Sequence, residues 1–297
     1  MTAVDARFRP KGRNWPLIWA FLIECGGSTK TSSATSMAVT AALRGYPGVV
    51  FDLDSNMSSS LILGYDETAL KGKKTAYDLL RGDATFDEVA LPARFRIGDG
   101  YDEDAFAPIP NLRVIPSSPT MAGADTAIAE DVDRNDWFVE LCRGYAGDDT
   151  VFYMDFPASY GKMPYSVLRM LDEDDSVIPS IKADPKDVKM VARLVDELER
   201  VRSKNRGRMS VPGRPTLNHM LLTGTPTPTY KEAAARRAAE LAQAKYGSVL
   251  LPYVRYSADA KKLYEDECPL PILLPNSAPS VDYRKIMTHL GFVDLAA

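Results

Sequence analysis

A continuous apolar run that leads directly into a glycine-bearing turn is the feature that most constrains the fold of this chain. The run at 16–24 reads PLIWAFLIE, and the turn after it contains Gly26 and Gly27. An uninterrupted apolar run predicts a strand buried on both faces, as in parallel sheets. Small, helix-compatible residues follow at 31–43, and VVFD at 49–52 predicts a second buried strand. This order of strand, turn, helix and strand indicates a βαβ unit.

The same alternation continues through the rest of the 297 residues, of which 45% are hydrophobic. Strands or apolar segments are predicted at 111–116, 151–155, 176–181, 217–223, 248–252 and 271–274, and helices at 121–144, 185–202, 230–246 and 280–291. Alternating strands and helices predict an α/β fold with a mostly parallel twisted sheet and helices on both faces. The length allows one large or two small domains, and no clear linker divides the chain.

The turn at residues 24–32 (ECGGSTKTS) combines the residue types that bind phosphate. Glycines let backbone N–H groups converge on phosphate oxygens, and the N-terminal end of the following helix adds partial positive charge. Lys30 can neutralise the charge of β- and γ-phosphates, and the Thr31 hydroxyl can ligate Mg²⁺. The match to GxxxxGK[ST] is imperfect, because Glu24 and Thr29 stand where glycines are expected. On the loop alone, a simple glycine-rich turn is an alternative.

Acidic residues end two of the predicted strands that follow the loop. The second strand leads into Asp52 and Asp54, whose carboxylates can reach Mg²⁺ or an attacking water, and the strand at 151–155 ends in Asp155 as a Walker-B strand does. Acids often do no more than terminate an apolar strand. The loop and the two acidic strand ends, in this order, favour a nucleotide phosphate site.

These segments resemble the ParA/MinD family of deviant Walker-A ATPases, in particular its partition ATPases of the ParA type. The family motif KGGxxK[TS] reads CGGSTKTS here, and DLDPQ reads DLDSN at 52–56. Shorter likenesses are YDLLRG at 77–82, NLRVIPSS at 111–118, MDFPAS at 154–159 and LP at 251–252. The resemblance covers about residues 17–290 and implies a single P-loop NTPase domain at 16–297. A flexible basic arm is predicted at 1–15 and a basic loop at 203–215.

The resemblance implies that ATP and Mg²⁺ are the cofactors and that hydrolysis is slow. Lys30 would bind phosphates, Asp54 would orient the attacking water, and Lys30, Asp54 and Asp155 form the catalytic set. Metal contacts are expected from Thr31, Asp52 and Asp155, and a contact with adenine from Pro252. The loop residues expected to contact ATP are Cys25, Gly26, Gly27, Ser28, Thr29, Lys30, Thr31 and Ser32.

Cys25 departs from the family pattern, because it replaces the signature lysine that reaches the partner's nucleotide in the ATP-sandwich dimer. A thiol cannot supply positive charge. Either hydrolysis is weak or another cation substitutes, and Lys162 is a candidate whose alternative role is that of a solvated loop lysine. A further hypothesis is that Cys25 is a redox-sensitive thiol at the phosphate site. The alternative is that Cys25 simply packs as a small residue.

Family members of the ParA type bind DNA nonspecifically when ATP is bound, through basic residues on the outer surface of the dimer. The resemblance favours Arg255, Lys261 and Lys262 as DNA contacts, with Arg236 and Arg237 as further candidates. Their alternative role is an ordinary solvated charged face. The net charge of -4 argues against tight constitutive nucleic-acid binding and leaves room for a conditional basic patch.

The expected function is an ATP-dependent partition switch that forms a homodimer, binds DNA and segregates plasmid or chromosomal DNA with a ParB-like or centromere-binding adaptor. Alternatives are positioning of a protein cargo or conjugation complex, and a hydrolysis-deficient nucleotide-binding interaction module. A membrane-positioning role is disfavoured, because the final residues THLGFVDLAA lack a basic amphipathic face. Three scattered cysteines and the lack of a signal peptide favour a cytoplasmic protein, and the resemblance implies association with the nucleoid.

Overall fold

The computed structural model describes residues 15–27, 29–98, 105–145, 150–207, 211–227 and 232–295. Residues 1–14 of the predicted arm, Ser28 of the loop and 208–210 of the basic loop lie outside the described residues.

Six strands form the main sheet, in the order β3-β4-β2-β5-β1-β6. Their bounds are β1 Leu17–Phe21, β2 Gly48–Asp52, β3 Leu91–Arg96, β4 Phe106–Ile115, β5 Val151–Asp155 and β6 Ser176–Val177. All neighbouring pairs are parallel except β3 and β4. Every residue of β1, β2 and β5 is buried, as expected for central strands covered by helices on both faces.

A second sheet continues the first at its β6 edge. It contains β7 Ser180–Lys182, β8 Leu221–Thr225 and β9 Val254–Arg255, all parallel and in the order β7-β8-β9. The Ile178 N–H donates to the Ala20 carbonyl of β1, and the Leu221 N–H donates to the Pro179 carbonyl. The segment 176–182 therefore pairs first with the main sheet and then with the small one. The segment 176–182 thus lies between β1 and β8.

The helices are α1 Lys30–Leu43, α2 Ser58–Ile62, α3 Ala76–Arg81, α4 Phe86–Val89, α5 Ala124–Glu130, α6 Trp137–Gly144, α7 Lys162–Leu168, α8 Pro185–Asn205, α9 Ala233–Tyr246, α10 Lys262–Glu265, α11 Leu270–Leu273 and α12 Ala278–His289. Alternate residues of β1 point to opposite faces of the sheet. Ile18 and Ala20 join a core with α3, α5, α6 and α7, whereas Trp19 and Phe21 join a core with α1 and α12. The mostly parallel α/β sheet with helices on both faces is thus confirmed.

Two of the predicted strands are wrong in detail. The sequence predicts a strand at 271–274, but these residues overlap helix α11, where Pro271 occupies the first turn. Proline is tolerated there because its missing N–H has no intrahelical partner in any case. Residues 248–252 contribute one isolated bridge, from Leu250 to Met220, and the ordered strand β9 comes later at Val254–Arg255.

The part of the chain that is described holds no helix long and apolar enough to span a membrane.

Candidate phosphate-binding site

The glycine loop and the predicted acids meet at one edge of the main sheet. The loop leaves the carboxyl end of β1, where Phe21 stands in register with Asp155 of β5. Asp155 in turn stands in register with Asp52 of β2. Carboxyl ends of neighbouring parallel strands form the usual ligand crevice of open α/β sheets. The structure therefore places the end of β1, Asp155 and Asp52 at the same edge of the sheet.

The two glycines of the loop differ in backbone conformation and in the space around them. Gly27 has a φ of +66°, a left-handed conformation that side chains rarely adopt. Gly26 has no heavy atom within 4 Å of the place where a Cβ would stand, so space is open on that side of the loop. An open glycine-bearing backbone next to a helix N-terminus suits a phosphate group.

Thr29 explains why the loop departs from the standard glycine pattern. Its φ of -93° is accessible to any residue, so glycine is not needed there. Its hydroxyl lies 2.8 Å from Ser180 Oγ of β7 and 2.8 Å from Thr223 Oγ1 of β8. The side chain therefore anchors the loop to the small sheet.

These contacts belong to a longer chain of hydroxyl groups whose direction follows from proton counting. Each hydroxyl has one proton to donate, and Thr223 gives its proton to the Ile181 carbonyl at 3.0 Å. Thr29 must then donate to Thr223 and accept from Ser180. The complete chain, each group donating to the next, is Tyr283, Ser33, Ser180, Thr29, Thr223 and the Ile181 carbonyl. It connects the loop with α12.

Lys30 opens α1 and is buried, and its ammonium donates to the Ile23 carbonyl at 3.4 Å. Burial lowers the pKa of this lysine, while the negative charges of Asp155 and Asp54 act in the opposite direction. The lysine thus lies among the acids that the sequence placed at the same site.

One carboxylate oxygen of Asp155 accepts a hydrogen bond, and the other has no hydrogen-bond partner among the described residues. Oδ2 accepts from Ser59 Oγ at 2.8 Å, whereas Oδ1 is buried without a hydrogen-bond partner among the described residues. Burial raises the pKa of Asp155 to about 6, and hydrogen bonds from Thr31 and Ser59 and the charge of Lys30 lower it in part. A buried polar atom without a partner calls for one, and a carboxylate oxygen beside a threonine hydroxyl suits Mg²⁺.

No cluster of three or more His, Cys, Asp or Glu side chains in the described ranges is arranged to hold a metal ion by itself. Mg²⁺ commonly binds through one or two protein groups, with phosphate oxygens and water completing its octahedron. Thr31 and Asp155 fit that pattern.

Asp52 is fully buried, and both of its oxygens already accept hydrogen bonds. Oδ1 accepts from the Asp54 N–H at 3.2 Å, and Oδ2 accepts from the N–H and hydroxyl of Ser60, each at 2.7 Å. Burial and then the charge of Asp155 raise its pKa to about 7. The predicted direct contact of Asp52 with a metal stays a prediction; its hydrogen bonds to Asp54 and Ser60 hold the β2–α2 turn.

Asp54 lies half-buried at the start of that turn. Its Oδ1 accepts from the N–H and side-chain amide of Asn56, each at 2.9 Å, and its charge reaches Lys30. It is therefore held in place at the site, and its role in orienting an attacking water stays a prediction.

Cys25 is held as a neutral thiol. Its Sγ donates to Asp187 Oδ1 of α8 at 3.4 Å, and burial followed by this hydrogen bond raises the pKa of the thiol. Reactive cysteines have lowered pKa values, so this environment favours packing over the redox hypothesis. Glu24, before it, pairs with Arg193 at 2.7 Å.

Lys162 begins α7 and is exposed. It lines a cavity of about 430 Å³ whose other polar residues include Asp125, Tyr160 and Glu197. Tyr160 connects this cavity to the loop, because its hydroxyl accepts from the Glu24 N–H at 3.5 Å. Lys162 itself forms no hydrogen bond or ion pair with a loop residue that the structure describes.

Pro252 lines a cavity of about 530 Å³ at the carboxyl ends of β8 and β9, together with Thr225, Pro226 and Tyr253. Since Thr29 ties the loop to β8, this cavity lies on the β8 side of the phosphate site. Its partly apolar wall is of the kind that accepts a flat ring. The predicted contact of Pro252 with a base stays a prediction.

The predicted DNA-contacting residues fall into different environments. Arg255 forms a two-point ion pair with Asp282, with Nε–Oδ2 and Nη2–Oδ1 distances of 2.8 Å each, so its guanidinium serves the fold. Arg236 and Arg237 are exposed on α9, and Lys262 is exposed on α10. The side chain of Lys261 lies outside what the structure describes.

Tyr264 is a residue of the site that the sequence did not indicate. From α10 its hydroxyl lies 3.4 Å from Ser32 Oγ, and its pKa is raised by burial and by the charges of Asp155 and Asp52. The two residues are 232 positions apart, and no local pattern joins them. The segment with the predicted DNA contacts therefore approaches the phosphate site.

The chain has sequence relatives among proteins of chromosome partitioning and of cell division. The chain is 27% identical over 155 residues to the chromosome-partitioning ATPase Soj of Treponema pallidum, a match covering 52% of this chain and 53% of Soj. It is 24% identical over 279 residues to the cell division protein PomZ of Myxococcus xanthus, covering 91% of this chain and 76% of PomZ. The match to ParA of Myxococcus xanthus, 23% identical, covers about half of each protein. No family model matches the chain.

Solved structures agree in fold at low identity. The McdA(D38A)–ATP complex of Cyanothece has a TM-score of 0.72 at 13% identity and covers 96% of this chain and all of that chain. Cobyrinic acid a,c-diamide synthase of Mycobacterium smegmatis, with a bound ATP analogue and magnesium, has a TM-score of 0.67 at 18% identity, with 91% of each chain covered. The sequence relatives, with the fold in agreement, identify the chain as a homologue of the ParA/MinD P-loop ATPases.

Proposed function

We propose that the protein is an ATP-dependent switch of the ParA type, which binds Mg-ATP, forms a homodimer and binds DNA without sequence preference. With a ParB-like or centromere-binding adaptor it would segregate plasmid or chromosomal DNA. The observation that carries the proposal is the open Asp155 Oδ1, buried beside Thr31 and Lys30 at the end of a glycine loop. These groups fit a nucleotide triphosphate with its cation.

The loop would hold the phosphates through backbone N–H groups of 25–32 and the ammonium of Lys30. Thr31 and Asp155 would hold the metal, and Pro252 would contact the base. Bound Mg-ATP would supply the transferable phosphoryl group and the cation that neutralises its charge. Asp54, fixed by Asn56, would orient the water. Slow hydrolysis agrees with the lack of positive charge at Cys25.

Two elements could connect nucleotide binding with DNA binding. Helix α10 carries Tyr264 at the phosphate site and exposed Lys262 two residues away. Helix α9 contributes Arg236 to the wall of the cavity that Pro252 also lines. Basic groups on these elements would contact DNA phosphates, which makes binding independent of sequence and sensitive to salt. Arg255 is a poorer candidate because Asp282 already occupies its guanidinium.

Two further functions have support of their own. Positioning of a protein cargo is favoured by the match to the cell division protein PomZ, which covers most of this chain. A hydrolysis-deficient interaction module is favoured by the neutral thiol of Cys25 at the position of the signature lysine.

Binding to a random-sequence DNA duplex at low salt, with ATP, ADP or no nucleotide, separates these functions. Wild type and Lys30→Ala are compared, with exposed Lys189→Ala of α8 as the matched lysine control. We expect DNA binding only with ATP, lost in Lys30→Ala and kept in the control. ATP binding without DNA binding in any state would reject the partition proposal and leave the cargo or interaction module.

A further inference from the structure

We propose that Lys182 of β7 contacts the phosphate tail of the bound nucleotide and supplies, next to the loop, positive charge that Cys25 cannot supply. The inference rests on the proposed nucleotide binding and assigns a phosphate contact that the loop motif does not contain.

The ammonium of Lys182 lies beside the glycine loop. Its Nζ lies 3.7 Å from the place where a Cβ on Gly27 would stand. Gly27 is the left-handed residue of the loop and is exposed, as Lys182 is. The ammonium forms no hydrogen bond or ion pair with any residue that the structure describes. It is therefore a cation beside the phosphate loop with its donors available.

The strand that carries Lys182 is fixed to the loop. Side chains two residues apart on a strand point to the same side, so Lys182 lies on the side of Ser180. Ser180 Oγ contacts Thr29 of the loop at 2.8 Å and Ser33 of α1 at 2.7 Å. Parallel pairing with β8 joins Lys182 to Thr223. The backbone at Lys182 is thus held at the loop by the same contacts that hold Thr29.

The distribution of charge favours a phosphate ligand for this ammonium. Lys30 lies buried on the inner side of the loop, among Asp54 and Asp155. Lys182 lies at the exposed side, beside Gly27. Cations on both sides of a glycine backbone suit a polyphosphate, because charge-assisted hydrogen bonds to its oxygens are stronger than neutral ones. Lys162, in contrast, lies in a separate cavity with Asp125 and Glu197.

Calorimetric titration of ATP and of adenosine tests the inference by binding alone. The variants are Lys182→Gln, which removes the charge, and Lys182→Arg, which keeps it. Lys186→Gln is the matched control, as another exposed lysine close enough to Cys25 to affect its pKa. Thermal unfolding is followed for each variant.

We expect Lys182→Gln to weaken ATP affinity roughly tenfold, the size of one charge-assisted hydrogen bond. Adenosine affinity stays unchanged, Lys182→Arg binds ATP nearly as wild type does, and Lys186→Gln changes ATP affinity less than about twofold. Wild-type ATP affinity in Lys182→Gln, or equal weakening of ATP and adenosine, overturns the inference. If Lys30→Ala loses ATP in the same assay, the proposed function survives that failure. If wild type itself does not bind ATP, both proposals fall.

Discussion

Replacement of Thr29 by valine removes one hydroxyl from the loop and keeps the shape of the side chain. Thr29 is the link between Ser180 and Thr223, at 2.8 Å from each. Without it, the fully buried Ser180 loses the acceptor for its proton, whereas Thr223 keeps its bond to the Ile181 carbonyl. A buried donor without a partner costs about 1–3 kcal/mol. We therefore expect the free energy of unfolding to fall by about 2 kcal/mol.

Urea denaturation of the nucleotide-free protein measures this change, with Thr29→Ser as the control that keeps the hydroxyl. ATP affinity should fall in the valine variant as well, because the loop loses its anchor to β7 and β8. The serine variant should retain most of both properties. A valine variant as stable as wild type, with unchanged ATP affinity, would refute the reasoning that this hydroxyl holds the loop in place.

We also predict effects on the pH dependence of stability, on the coupling of ATP binding to DNA binding and on the reactivity of Cys25. The pKa values of Asp52 and Asp155 are raised in the folded protein, so the folded state binds more protons and the free energy of unfolding should fall as pH rises from about 4 to about 7. Asp52→Asn should flatten that profile in urea denaturation without Mg²⁺; an unchanged slope contradicts it. Tyr264→Phe removes the hydroxyl beside Ser32 and should keep ATP affinity within about twofold. It should weaken ATP-dependent DNA binding in a fluorescence titration. DNA binding as strong as that of wild type would reject the coupling between the phosphate site and DNA binding. Asp187→Asn should speed modification of Cys25 by a thiol reagent at pH 8, because Asp187 helps to raise the pKa of that thiol; an unchanged rate counts against it.

The sequence was sufficient for those parts of the structure that local patterns determine. The apolar run at 17–21 and the run at 151–154 that ends in Asp155 predicted buried parallel strands, and parallel strands bring their carboxyl ends to one edge. The meeting of Asp52, Asp155 and the loop follows from that rule. The apolar run at 271–274 gave a wrong strand prediction, because periodicity in a short apolar run does not distinguish a strand from a buried helix.

Other parts of the site depend on partners far away in the sequence. Thr29 counted as a departure from the glycine pattern, because its partners Ser180 and Thr223 lie 151 and 194 residues away. Arg255 was expected to contact DNA, and its pairing with Asp282 across 27 residues was not visible in the local pattern. Long-range side-chain contacts of this kind are decided by tertiary packing, on which residue spacing carries no information.

The glycine loop and Asp155 are proposed to bind a nucleotide together with Mg²⁺. Calorimetric titration of ATP into wild type and Asp155→Asn, each with Mg²⁺ and with a chelator, tests this claim most directly. We predict that wild type binds ATP more tightly with Mg²⁺ than without it, and that Asp155→Asn loses most of this difference. Wild-type ATP affinity that is the same with and without Mg²⁺, or absent in both, would contradict the claim.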